Sequence, residues 1–191
     1  MKLILALTFA LSLPAAAALK QGDKAPEFKT KASMAGKEFE FKLKEQLKKG
    51  PVVVYFYPAA FTGGCNLEAH TFSENSDKFT AAGASIIGVS LDKIETLNKF
   101  SADPQFCAGK IPVASDADGK IAKSYDLKVA DEKKGAKNTQ GDEIGHGFAE
   151  RTTFVVTPDG KVAATIPTPP GTSPADNVQK TLEAVQGLKK G

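Results

Sequence analysis

Cys65 closes the run Pro58-Ala59-Ala60-Phe61-Thr62-Gly63-Gly64-Cys65, and its thiol is the side chain here best suited to nucleophilic chemistry near neutral pH. A thiol reacts as the thiolate, so its surroundings matter. An apolar run precedes the segment and a helical pattern follows it. A cysteine at such a junction faces unpaired backbone N–H groups and the positive end of a helix dipole. Both favour the thiolate, which predicts a pKa below the free value of about 8.5. The Thr62 hydroxyl can accept from a substrate O–H or donate to the thiolate. Gly63 and Gly64 leave room for a small substrate to approach the backbone.

The other residues capable of chemistry are few. Cys107 is the second of two cysteines. A single pair suits a permanent structural disulfide, a redox pair, or one reactive and one inert buried thiol. A bridge between them would close a loop of about forty residues, which in the chain-entropy model stabilises by roughly 4 kcal/mol. His70 and His146 are the only histidines, one within a helical pattern and one between two glycines of a polar stretch. That is too few ligands at recognisable spacing for a metal site, and no cofactor-binding motif is present. The net charge of +3 is spread among interleaved acids and lysines, so no basic stripe for nucleic acid forms.

The elements that must position Cys65 follow from periodicity. Pro51 to Tyr57 is β-branched and aromatic throughout, which predicts a central strand covered on both faces and ended by Pro58. A helix is predicted over about 65–82, with Leu67, Phe72 and Phe79 on or near one face. Residues 84–90 read as the next buried strand. Asp92 reads as the cap of a helix to about Ala102, with Ile94, Leu97 and Phe100 inward. A short strand at 111–114 and a short helix at 120–125 follow. Residues 129–150 read as a long, partly ordered surface loop. Two strands flank Pro158-Asp159-Gly160, and a helix over 175–188 turns Val178, Leu182 and Val185 inward. Lys37 to Leu43 alternates as a hairpin strand, and a short helix follows over 43–49. This order implies one α/β domain with a mixed central β-sheet flanked by helices.

The N-terminus reads as a leader. Lys2 precedes the apolar run Leu3 to Leu13, then Pro14 and four alanines, Ala15 to Ala18. The run is shorter than the roughly 20 residues a membrane span needs, although an uncleaved anchor is the competing reading. The expected organisation is a signal peptide at 1–18 and a domain at 19–191, exported to a disulfide-permissive compartment, periplasmic, secreted or luminal. No later segment is apolar enough to span a membrane.

Taken together, Pro58, Thr62 and Cys65 resemble the peroxiredoxin motif P-x-x-x-T-x-x-C. Phe56-Tyr57 before the proline, Glu68, Arg151-Thr152-Thr153-Phe154-Val155, and Lys24-Ala25-Pro26-Glu27-Phe28 extend the resemblance across most of the mature chain, nearest to the Q-type or bacterioferritin-comigratory subfamily. The resemblance implies a thioredoxin fold and a thiol-dependent peroxidase acting on hydrogen peroxide or organic hydroperoxides. It makes Cys65 the peroxidatic cysteine, with Thr62 and Pro58 in its loop. The resemblance also implies that Arg151, the only arginine, stabilises the leaving oxygen and that Glu68 places that arginine. Phe106-Cys107-Ala108 looks like the variant with an intramolecular resolving cysteine in the third-helix region. The alternative position five residues after Cys65 is His70. The family implies no cofactor, a thioredoxin-like reductant and a monomer. Two other activities fit the same fold. A thiol–disulfide oxidoreductase needs C-x-x-C, where this chain has Thr62, and a copper-binding relative needs a second cysteine where Ala69 and His70 stand.

Overall fold

The computed structural model describes residues 18–188, so the leader reading lies almost wholly outside the described residues. The elements are β1 (Lys29–Met34), β2 (Lys37–Lys42), α1 (Leu43–Leu47), β3 (Val52–Phe56), α2 (Gly63–Ala81), β4 (Ser85–Ser90) and α3 (Ile94–Ala102). They continue through β5 (Val113–Ser115), α4 (Lys120–Ser124), β6 (Val129–Ala130), β7 (Phe148–Ala149), β8 (Thr152–Val156), β9 (Val162–Pro167) and α5 (Pro174–Gly187). Seven strands form one sheet in the order β2-β1-β5-β4-β3-β8-β9. β3, β4 and β5 run parallel, as their helical crossovers require, and the outer pairs are antiparallel.

β3 is buried along its whole length because the sheet is covered on both faces. Val53 and Tyr55 face one apolar cluster, with Phe72 and Phe79 of α2, Leu97 and Phe100 of α3, and Val178, Leu182 and Val185 of α5. Val52, Val54 and Phe56 face the other, with Leu43 and Leu47 of α1, Ala122 of α4, Tyr125 and Phe154. The Tyr55 ring stacks on Phe72 at 4.5 Å and on Tyr57 at 5.5 Å. A Cβ on Gly88 would lie 2.5 Å from the Tyr55 ring, so glycine in β4 is what admits this aromatic layer under α2.

Two expectations are corrected, those for Leu67 and Asp92, and two, the 37–43 hairpin strand and the 129–150 loop, gain detail. Leu67 is 44% exposed, because the buried stripe of α2 runs through Cys65, Glu68, Ala69, Phe72 and Phe79, and Leu67 is rotated away from it. The partner of the 37–43 strand is β1, joined through Ala35 and Gly36 with φ of 51° and 78°. That is a two-residue hairpin turn whose Ala-Gly pair is not the Asn-Gly signal a sequence offers. Asp92 does not cap α3: Lys93 occupies that position without a side-chain bond, and Asp92 points back toward the segment before α2. The stretch predicted as a loop over 129–150 is bracketed by the β6–β7 pair. Its interior is tied by Ile144 N–H to Ala136 C=O (2.8 Å) and Asn138 N–H to Asp142 C=O (2.9 Å).

Candidate active site

The β3–α2 connection sets the position of Cys65. Tyr57 still donates to Val89 C=O at 3.1 Å, and the chain leaves the sheet at Pro58. Thr62, with extended backbone, is the N-cap of α2, so Cys65 is the third helical residue. Glu68 follows one turn later on the same face. The antiparallel register pairs Phe56 with Thr152, which brings Arg151 beside the point where β3 gives way to this loop.

Cys65, Arg151 and Glu68 are thereby brought together from two elements. Arg151 Nη2 donates to Cys65 Sγ at 3.0 Å, and Nη1 donates to Glu68 Oε2. Glu68 is fully buried and the Arg151 side chain is 13% exposed. A Cβ on Gly64 would stand 3.3 Å from Arg151 Nη2, so the glycine beside Cys65 leaves space for the guanidinium. Thr62 Oγ1 donates to Ala59 C=O at 2.9 Å, which leaves its lone pairs free to accept from a substrate O–H. Pro58 is half-buried where the strand ends.

The electrostatics differ from the expectation of a depressed thiol pKa. Cys65 is 2% exposed, and burial pushes its pKa above the ordinary value. Arg151, the Thr62 side chain and the Ala59 backbone pull it back, while the Glu68 charge pushes it further up. The helix terminus was legible in the sequence; the loss of thiolate hydration in a closed site was not, and here it outweighs the rest. Burial likewise raises the Glu68 carboxyl to about 7 against the opposing pull of Arg151.

Cys107 lies beyond α3, in the turn after Asp103, buried and unbridged like Cys65. Burial and then the Asp103 charge hold its thiol well above the usual range. The two cysteines belong to the same apolar cluster, but the Cys107 turn is tied down. Gly109 N–H donates to Ser101 C=O and Ala108 N–H to Asp103 C=O, each at 2.9 Å. His70 Nδ1 lies 3.0 Å from Gln105 C=O, joining α2 to this turn. Among the described residues no three His, Cys, Asp or Glu side chains gather as metal ligands.

Sequence reasoning missed Asp92 and His146. Asp92 Oδ2 accepts from Ala60 N–H at 2.8 Å and from Ser90 Oγ at 2.7 Å, and Oδ1 faces His146 Nε2 at 3.0 Å. The available signal was a lone acid directly after a buried strand, which has to find donors if it too is buried.

A family model described as the AhpC/TSA family matches residues 21–165. Peroxiredoxin Bcp of Escherichia coli is 29% identical over 144 residues, 75% of this chain and 83% of that protein. The crystal structure of peroxidoxin BcpB from Mycobacterium tuberculosis superposes with a TM-score of 0.71 at 29% identity, covering 89% of this chain and 98% of that one. A Xanthomonas campestris peroxiredoxin Q structure gives a TM-score of 0.61 at 30% identity, covering 81% and 89%.

The shared guanidinium makes a signed prediction. Glu68→Gln keeps an acceptor for Arg151 but removes the negative charge that raises the Cys65 pKa. The midpoint for thiolate-dependent alkylation of Cys65, followed by peptide mass spectrometry, is expected to move to lower pH; an unchanged or higher midpoint counts against this coupling.

Proposed function

Because the chain belongs to the AhpC/TSA family and shares the thioredoxin fold of the peroxiredoxins, it is a thiol-dependent peroxidase, and we propose that Cys65 is its peroxidatic nucleophile. The observation that carries this assignment is the Arg151 guanidinium, one nitrogen on the Cys65 sulfur and the other on buried Glu68.

In this reading the Cys65 thiolate attacks one peroxide oxygen, forming an S–O bond as the O–O bond breaks. The electron pair leaves on the distal oxygen as hydroxide or alkoxide, which then takes up a proton. Arg151, an always-charged fork fixed by Glu68, aims donors at that developing charge. Thr62 accepts from the peroxide O–H, and Pro58 turns the loop that carries it. A peroxide entering the closed site replaces no strong hydration of the sulfur, because the surrounding donors are already fixed there.

Cys107 then resolves the sulfenic acid: its sulfur displaces the hydroxyl from Cys65 as water and leaves a Cys65–Cys107 disulfide. A bridge needs the two Cα atoms within about 7 Å, and the hydrogen bonds that tie the 103–110 turn are expected to open as it forms. A thioredoxin-like reductant closes the cycle, as the family's chemistry implies. The relatives named Bcp and peroxiredoxin Q support the Q/Bcp type, which also favours a monomer. The leader pattern at 1–18 supports export of a mature chain beginning near Leu19.

Three experiments test these assignments. One equivalent of hydrogen peroxide is expected to remove two hydrogens from the monomer mass and to join Cys65 to Cys107 in the peptide map. Cys65→Ser is expected to reduce turnover to background with the fold retained, and Cys107→Ser to stop at the sulfenic acid and over-oxidise. Substantial turnover by Cys65→Ser would refute the nucleophile; full turnover by Cys107→Ser would make an outside thiol the resolver. N-terminal sequencing of protein from its native compartment is expected to begin near Leu19, and an intact Met1 would refute export.

A further inference from the structure

We propose that His146 is a positioning residue for peroxide reduction: through Asp92 it fixes the loop that presents Thr62 and Cys65. This inference rests on the assignment of Cys65 as the nucleophile.

The contacts form a chain from the 131–147 excursion to that loop. His146 Nε2 lies 3.0 Å from Asp92 Oδ1, and Asp92 Oδ2 takes the Ala60 amide at 2.8 Å and the Ser90 hydroxyl at 2.7 Å. Asp92 is 5% exposed, and these donors occupy both of its oxygens. The same excursion grips the next peptide, since Thr139 N–H and Thr139 Oγ1 both donate to Phe61 C=O, at 2.7 and 2.8 Å. Phe61 has φ of 57°, a left-handed conformation that a bulky residue keeps only where its surroundings fix it. Ala60 and Phe61 are the two residues immediately before Thr62, and both are held from outside their own loop.

The ring contacts favour one protonation state. His146 Nδ1 lies 2.7 Å from Gly147 C=O, which can only accept, so Nδ1 carries a hydrogen. A neutral ring would then turn the Nε2 lone pair onto the Asp92 carboxylate. The geometry is satisfied by the imidazolium, with both nitrogens donating. Burial opposes that charge, but Asp92, the Gly147 carbonyl and Glu132 outweigh it and hold the His146 pKa above its ordinary value. The other charged groups around this pair are Lys93 at the start of α3 and Asp142 and Glu143 on the excursion, which line the same cavity of about 260 Å³. The sign follows from the raised pKa. The clamp is complete below the ordinary imidazole range of about 6.5 and is lost as pH rises through the higher folded-state value.

Two substitutions separate the clamp from mere packing. His146→Phe keeps a ring and removes both donors. Asp92→Asn, when His146 is neutral, places its amide N–H on the Nε2 lone pair while its oxygen still accepts from Ala60 and Ser90, so the contacts persist without the titrating proton. The experiment is single-turnover oxidation by hydrogen peroxide between pH 6.5 and 9, read as sulfenic acid or disulfide at Cys65 by mass spectrometry, with circular dichroism to confirm folding. His146→Phe is expected to react about tenfold more slowly than wild type at pH 6.5. The ratio of the wild-type rate to that of Asp92→Asn is expected to fall as pH rises, which cancels the thiolate dependence common to both. If His146→Phe does not fold, that ratio decides alone. A pH-independent ratio, or a His146→Phe rate equal to wild type, overturns the clamp and leaves the nucleophile assignment intact. Failure of wild-type Cys65 to oxidise overturns both.

Discussion

Arg151 donates to the Cys65 sulfur with one nitrogen and to the Glu68 carboxylate with the other, in a place where neither acceptor is hydrated. A buried carboxylate without a partner is costly, and a buried thiolate equally so. One guanidinium answers both, and its planar fork fixes the direction in which its hydrogens point. The same contact makes the two acceptors compete. Glu68 holds the arginine in place, yet its charge works against the thiolate that the arginine supports. Burial and the Glu68 charge therefore push the Cys65 thiol up while Arg151 pulls it back, which leaves the sulfur between competing charges.

That contact depends on two features of the backbone. The β3–β8 register puts Arg151 level with the end of the central strand, and the start of α2 at Gly63 puts Cys65 and Glu68 one turn apart on its buried face. The aromatic layer of Tyr55, Phe72 and Tyr57 fixes α2 against the sheet, and Gly88 makes room for it. The loop between strand and helix has no ladder of its own. Its amide at Ala60 and carbonyl at Phe61 are satisfied by Asp92 and Thr139, so regions distant in sequence complete the geometry of the motif.

What the sequence disclosed followed from local rules. The apolar run of β3, the inward stripes of α3 and α5 and the Pro58–Cys65 segment are periodic or contiguous, and the structure places each as expected. The contacts that were not legible are long-range. Asp92 has the chemistry of an N-cap, and only the fold reveals that its donors lie at Ala60 and His146, 32 and 54 residues away. His146 sits in a glycine-flanked polar stretch with no periodicity to mark it. The direction of the thiol pKa is hidden for a related reason: a helix terminus is visible in sequence, whereas the depth of burial at Cys65 depends on segments that converge from elsewhere. Leu67 is apolar yet lies off the buried stripe of α2, so residue type alone does not place it in the core.

The central claim is that a fixed guanidinium, and not positive charge alone, activates Cys65. The most direct measurement is the stopped-flow rate of Cys65 oxidation by hydrogen peroxide as a function of pH, for wild type and Arg151→Lys. Lysine keeps the charge and loses the fork. The rate is expected to fall by about 10²–10³, the usual effect of removing one oriented donor to a developing oxyanion, and the thiol midpoint is expected to rise. An unchanged rate together with an unchanged midpoint would contradict the claim and remove Arg151 from the reaction.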